Sequence, residues 1–276
     1  MTLSQPFSHE TIEDLWSVAN ALADAARVET LARFRPPGGI GAANKLAEGF
    51  DPVTEADRAS ERAMRNILAL RRPQDGIYGE EFGVTRGTSG LTWVLDPIDG
   101  TRAYMSGTTS WGVLIGLAHD DEGGPGMPLM GIVDQPYIGE RFQGGMGRSL
   151  LQGPHGQMPL ETRRATADLS DAVLFSTFPE VGTAAEGAAF HALSRQVKLT
   201  RYGMDCYAYA LLAAGQIDLV VEAGLQPYDI QGPMAVVQAA GGIVTNWQGG
   251  PACRGGQVIA AANAQVHQAA MQVLNS

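Results

Sequence analysis

Apolar positions recur at helical spacing from His9 to Phe34. Ile12, Leu15, Trp16, Val18, Ala19, Leu22 and Ala26 fall on one stripe, with Ser8 ahead of them as a cap. Pro36-Pro37-Gly38-Gly39 ends that pattern. A second helix is predicted from Thr54 to Leu70, closed by Arg71-Arg72-Pro73. The segment 84–90 is expected as a flexible loop. Then the period changes. Thr92 to Leu95 are β-branched or large apolar residues that suit a buried strand. Gly112 to Ala118 and Met130 to Val133 repeat the signal, and the acid-, Gly- and Pro-rich separator Asp120 to Pro128 is expected as a loop. The second half alternates strands at 173–176, 217–222, 243–246 and 258–261 with helices at 184–197, 206–214, 228–240 and 265–274. Such alternation implies sheets covered by helices, an α/β class. The Gly-rich stretch from Gly144 to Gly156 is the expected boundary between two α/β halves, residues 1–147 and 148–276.

Composition narrows the chemistry. A chain of 276 residues forms one large domain or two packed halves. Hydrophobic content of 45% is ordinary for a globular protein, and no apolar run reaches the roughly 18 residues of a membrane span. No membrane partner is expected. Met1 to Glu10 lack a basic region followed by an apolar core, so no secretory signal is visible and a cytoplasmic location is expected. A net charge of −10 argues against nucleic acid as a partner. Cys206 and Cys253 lack C-x-x-C spacing and are expected as buried structural thiols. The five histidines are scattered, with no H-E-x-x-H, which weighs against zinc or a histidine triad.

Chemistry concentrates in Leu95-Asp96-Pro97-Ile98-Asp99-Gly100-Thr101. Proline lacks an N–H and restrains the residue before it, so the ladder is expected to stop at Asp96. Gly100-Thr101 lets the backbone turn and opens a helix whose free N–H groups favour an anion. Asp96 and Asp99 can both face one small volume, where two carboxylates need a cation or a shared proton. Hard oxygen donors select Mg²⁺ or Mn²⁺. A solvated Asp-rich turn has the same spacing, so this segment alone leaves both readings open. Asp57, in the first turn of the second helix, suits the helix dipole whatever else it does. Of the adjacent Glu80 and Glu81, extended structure sends one into a site and one away. Lys45 by residue type is a surface lysine.

The segment 95–101 resembles the signature of the inositol monophosphatase superfamily of metal-dependent, lithium-sensitive phosphatases. Three further segments match in the family order: Asp51-Pro52-Val53-Thr54-Glu55-Ala56-Asp57, Gly79-Glu80-Glu81 and Pro227-Tyr228-Asp229. The resemblance implies a layered α-β-α-β-α sandwich, a small phosphorylated substrate and a homodimer. It implies Mg²⁺, two or three ions per site, with Mn²⁺ as a substitute. Glu80, Asp96 and the Ile98 carbonyl would hold one metal, and Asp96, Asp99 and Asp229 the second, with Asp96 bridging. Glu80 would also reach a third ion through water, with Glu81 in support and Lys45 nearby. Asp57 and Thr101 would position or deprotonate the attacking water, and the N–H groups of Gly100 and Thr101 would grip the phosphate. By the same resemblance, the water would attack phosphorus directly, and no covalent phosphoenzyme is expected. Asp229-Ile230-Gln231-Gly232-Pro233 departs from the small apolar residues of many relatives, although proline suits a first helical turn.

The substrate is read from Gly203-Met204-Asp205-Cys206-Tyr207-Ala208-Tyr209. A polyol needs no carboxylate at Asp205. With Glu222, it can bind an ammonium or imidazolium group through charge-assisted hydrogen bonds; the alternative for Asp205 is a helix cap. Together with Asp134-Gln135-Pro136 and Gly139-Glu140-Arg141, the segment resembles the histidinol-phosphate phosphatase branch. The implied substrate is L-histidinol phosphate, from histidine synthesis. Inositol 1-phosphate is the alternative substrate. A regulatory binding protein of the same fold is the alternative of another class, and the intact carboxylate set and acidic balance weigh against it.

Overall fold

The computed structural model describes residues 7–44 and 52–276. Lys45 and Asp51 lie outside the described residues. In chain order the elements begin with α1 (His9–Arg33), the two-residue ladder β1 (Ala43–Asn44) and β2 (Pro52–Val53), and α2 (Glu55–Arg71). There follow β3 (Gly76–Gly79), β4 (Gly83–Thr85), β5 (Leu91–Asp99), α3 (Thr101–Ser106), β6 (Gly112–Asp121) and β7 (Gly124–Gln135). Next come β8 (Glu140–Gly145), β9 (Arg148–Gly153), β10 (Gly156–Pro159), β11 (Val173–Ser176), α4 (Ala184–Ser194) and β12 (Leu199–Tyr202). The chain closes with α5 (Tyr207–Ala213), β13 (Leu219–Leu225), α6 (Pro227–Ala239), β14 (Ile243–Thr245), β15 (Gly256–Ala261) and α7 (Ala264–Leu274).

Among the described residues, the larger sheet runs β10-β9-β8-β7-β6-β5-β3-β4 and the smaller one β12-β11-β13-β15-β14. The larger is antiparallel except where β3 lies parallel to β5. The predicted α1 stripe buries Leu15, Trp16, Val18, Ala19, Leu22 and Ala26 with Met64 and Leu68 of α2 against Trp93, Leu95 and Ile115. On the other face, α5 and α6 fill the space between the sheets, where Leu114 and Val133 share one core with Val220 and Val258. Outside the smaller sheet, Phe190 of α4 and Val266 of α7 cover Leu219 and Ile259. The result is an α-β-α-β-α sandwich, as the resemblance implied. Among the described residues no helix is long and apolar enough to cross a membrane.

Three local expectations are corrected. The ladder of β5 does not stop at Asp96 but continues to Asp99, with one extra residue against Leu114 and Gly112 of β6. This bulge lets a proline sit in the strand, since the displaced residues need no ladder bond. The expected loop 120–128 is the tip of a β6–β7 hairpin, in which Asp121 faces Gly124 and the prolines fall at irregular positions. Gly144 to Gly156 forms successive hairpins of the larger sheet, so the change of sheet falls between Pro159 and Val173 rather than at 147/148. Glycines there serve tight turns, with Gly145 and Gly147 at φ 99° and 82°.

One feature of the sheet sets the position of α6. Gly116, Gly131 and Gly144 stand opposite one another across β6, β7 and β8. A Cβ on Gly131 would meet the Gly232 carbonyl oxygen at 2.5 Å, and one on Gly144 would meet Val236 Cα at 2.3 Å. The helix backbone therefore lies directly on the sheet, and Pro233 is buried within it. Gly144→Ala is expected to lower stability by about 2–3 kcal/mol through overpacking. Urea unfolding measures this, and a loss below about 0.5 kcal/mol would show that α6 can retreat freely.

Candidate active site

The β5 bulge turns Asp96 and Asp99 toward the same space. Asp96 is 2% exposed, and its Oδ1 accepts the Ile98 N–H at 3.0 Å. The Ile98 side chain is buried with Ala56, Tyr104 and Trp111, which anchors the turn. Its carbonyl accepts the Thr101 hydroxyl at 3.2 Å. Gly100, at φ 83°, makes the left-handed step into α3, where a Cβ would lie 2.8 Å from Asp205 Cγ. Only glycine meets both conditions without strain.

Two more carboxylates arrive by one local device. Asp57 is the third residue of α2, and its Oδ2 accepts from Thr54 N at 2.8 Å and from the Thr54 hydroxyl. Asp229 is the third residue of α6, and its Oδ2 accepts from Gln226 N at 2.7 Å. In each case one oxygen is tied to a helix start, leaving the other for the site. The second oxygen of Asp57 lies 3.5 Å from Thr101 Oγ1. Asp99 Oδ2 accepts the Cys206 N–H at 2.6 Å. Glu80 follows β3, with its N–H donated to Leu95 O at 3.1 Å.

Among the described residues, carboxylate oxygens of Asp96, Asp99 and Asp229 all lie within 4.8 Å of one another. Burial, then Glu80, Asp99 and Asp229, hold the Asp96 carboxyl well above the usual carboxylate range. Burial, then Asp205 and Asp229, do the same for Asp99. Burial pushes Asp229 up to about 7 and Asp57 up to about 6, against their hydrogen bonds from Gln226 and Thr54. Carboxylates packed this closely cannot all ionise unless a cation compensates. The donor set is all oxygen and pre-oriented by backbone N–H groups, which suits a hard divalent ion such as Mg²⁺ or Mn²⁺. The residues fit the metal that the resemblance implies.

A cleft of about 300 Å³ opens beside this cluster. It brings Asp99, Gly100, Thr101 and Asp229 together with Asp205 and Glu222. Asp205 is no helix cap: its Oδ2 accepts from Ser110 Oγ at 2.9 Å, and α5 begins without a side-chain cap. Its backbone is left-handed, φ 47°, which a carboxamide or carboxylate residue tolerates better than most. Burial raises the Asp205 carboxyl, while Ser110 and the charge of Arg102 oppose that. Glu222 is already well served. Thr177 N, Thr177 Oγ1 and Ser176 Oγ donate to it at 2.7, 2.9 and 3.3 Å, and burial pushes it up to about 7. Both cysteines are free and buried, and burial holds the Cys206 thiol neutral.

Several neighbours escaped the sequence reading. Arg102, whose guanidinium lies 4.9 Å from the Phe178 ring centroid, follows the signature directly and was open to detection by adjacency. Ser110, Thr177 and Phe178 come from segments with no chemical signal of their own. A second cleft, about 320 Å³ and lined by Tyr78, Arg86 and Asp120 among others, holds none of the site carboxylates.

The geometry has counterparts among known proteins. The inositol monophosphatase family model matches residues 12–276. The chain is 37% identical to the bifunctional phosphatase IMPL2, chloroplastic, of Arabidopsis thaliana, over 94% of its own length and 74% of the relative's. It is 34% identical to a histidinol-phosphatase of Streptomyces coelicolor, over 96% and 97% of the two chains. A solved structure of an inositol monophosphatase from Zymomonas mobilis superposes with a TM-score of 0.83 at 37% identity, covering 98% of this chain and 100% of that one. The match spans all four motif segments and both sheets, so the chain belongs to the inositol monophosphatase family and is a phosphatase of that family.

Proposed function

We propose that the chain hydrolyses L-histidinol phosphate with the help of divalent cations held by Glu80, Asp96, the Ile98 carbonyl, Asp99 and Asp229. Bound Mg²⁺ or Mn²⁺ would clamp the phosphoryl oxygens and acidify the attacking water. The protein's own groups orient that water. The Thr101 hydroxyl has two alternative acceptors, the Ile98 carbonyl and Asp57 Oδ1; when it turns to Asp57 it would pass its own proton to that carboxylate and take one from the attacking water. Gly100 and Thr101 line the cleft where the phosphate would rest. Direct attack by water needs no side-chain nucleophile, and the neutral buried Cys206 offers none.

One observation carries the substrate: the Asp205 carboxylate shares the cleft with the metal-site carboxylates. An ammonium group on the leaving alcohol would find there a charge-assisted acceptor already oriented by Ser110. Glu222, with three donors of its own, shapes the wall more than it binds. A second reading, inositol 1-phosphate, is favoured by Arg102, whose charge already answers Asp205. Phosphate release from both substrates with Mg²⁺, for wild type and Asp205→Ala, separates the two. Histidinol phosphate is expected to be preferred, with kcat/KM falling roughly 10²-fold in the variant, about the cost of one lost charged hydrogen bond. Unchanged kinetics in Asp205→Ala, with inositol phosphate turned over equally well, would overturn the assignment.

A further inference from the structure

The loop that supplies Glu80 carries two consecutive glutamates, and because adjacent extended residues face opposite ways, a half-turn of its backbone or a one-residue slip would exchange them. A buried carboxylate on α2 holds the backbone of that loop by hydrogen bonds. Asp57, Glu61 and Arg65 lie four residues apart on one stripe of that helix, so the element that presents Asp57 also faces the loop. Glu61 is fully buried. Its Oε2 accepts the Glu81 N–H at 2.7 Å, and its Oε1 accepts the Phe82 N–H at 3.3 Å and Arg65 Nε at 2.7 Å. Arg65 in turn donates to the Gly83 carbonyl and, at 3.0 Å, to the Thr85 hydroxyl. The carboxylate reaches the loop only because position 79 is glycine: a Cβ there would lie 2.0 Å from Glu61 Oε1.

Three consecutive N–H groups are thereby held. Glu80 donates to Leu95 O of the strand that carries Asp96, while Glu81 and Phe82 donate to Glu61. With three donors on its two oxygens, Glu61 is a poor metal ligand itself. We propose that Glu61, held by Arg65, is a positioning residue that selects Glu80 over Glu81 for the metal site by fixing the peptide planes at 80–82. The proposal rests on the reading of Glu80 as a metal ligand.

The test uses metal-free full-length protein titrated with Mn²⁺, with bound ion followed by electron paramagnetic resonance and Mg²⁺ activation followed by phosphate release. Glu80→Gln and Glu61→Gln are both expected to weaken Mn²⁺ binding about tenfold or more, the usual effect of losing a ligand's support. In Glu61→Gln the Mg²⁺ activation constant should rise in step, with substrate KM at saturating Mg²⁺ unchanged. Arg65→Met should shift both in the same direction, and it carries the test if Glu61→Gln does not fold. Wild-type Mn²⁺ affinity in Glu61→Gln or in a folded Arg65→Met, beside a weakened Glu80→Gln, would overturn the positioning role alone. Wild-type affinity in Glu80→Gln would overturn the ligand assignment and the proposal with it.

Discussion

Asp96→Asn is expected to cut phosphate release at least ~10³-fold, about 4 kcal/mol of barrier, and to raise the melting temperature of the metal-free protein. Both effects follow from one geometry. Asp96 is 2% exposed among Glu80, Asp99 and Asp229, and those neighbours together with burial oppose its ionisation. Asparagine keeps the oxygen that accepts the Ile98 N–H, so the β5 turn survives. It removes the charge that a bound cation needs and that the empty fold disfavours. Active sites commonly hold such groups at a cost to stability. Phosphate release with saturating Mg²⁺ and calorimetry in EDTA measure the two arms. Activity within about tenfold of wild type, or a lower melting temperature in EDTA, would show that Asp96 is not the centre of the charge cluster.

The second large effect is a pH dependence of the metal-free protein that bound metal offsets. Burial and like charges raise the folded-state values of Asp96, Asp99 and Asp229, Asp229 from 3.8 to about 7. Glu222 and Asp57 are raised in the same direction. A raised folded value means that the folded chain binds more protons than the unfolded one. Stability is then fully present below about pH 4 and is lost as the pH rises toward 7. For Asp229 alone the loss is on the order of 4 kcal/mol. The metal-free melting temperature should therefore fall roughly 10 °C between pH 5 and pH 8. Saturating Mg²⁺ replaces the protons, so its stabilising effect should grow over the same range. A flat or rising EDTA profile would mean that these carboxylates find another partner.

Local rules worked where the partners are near in sequence. The α1 stripe, its Ser8 cap and the α2 start at Thr54 needed only helical spacing and a hydroxyl. The same proximity made Asp57 and Asp229 recognisable as first-turn acids, although not as residues that keep one oxygen in reserve. Pro97 shows where local rules stop. Its missing N–H predicted a broken ladder, but the pairing of β5 with β6 absorbs it in a bulge, and the bulge is what turns Asp96 and Asp99 together. The separator 120–128 and the glycines of 144–156 misled for a similar reason: turn-forming residues mark hairpins as readily as linkers. Asp205 left two readings open until Ser110 was found beside it.

From the sequence alone came the inventory of carboxylates, their order in four motif segments and the helix starts that present two of them. These depend on residue type and on contacts within a few positions. Tertiary structure alone decided that Glu61 meets the N–H groups of Glu81 and Phe82, that a row of facing glycines sets the depth of α6, and that Asp205 opens on the cleft beside Asp99 and Asp229. Each of these joins segments far apart in the chain. Such contacts depend on how sheets and helices stack, which no single stretch of residues encodes.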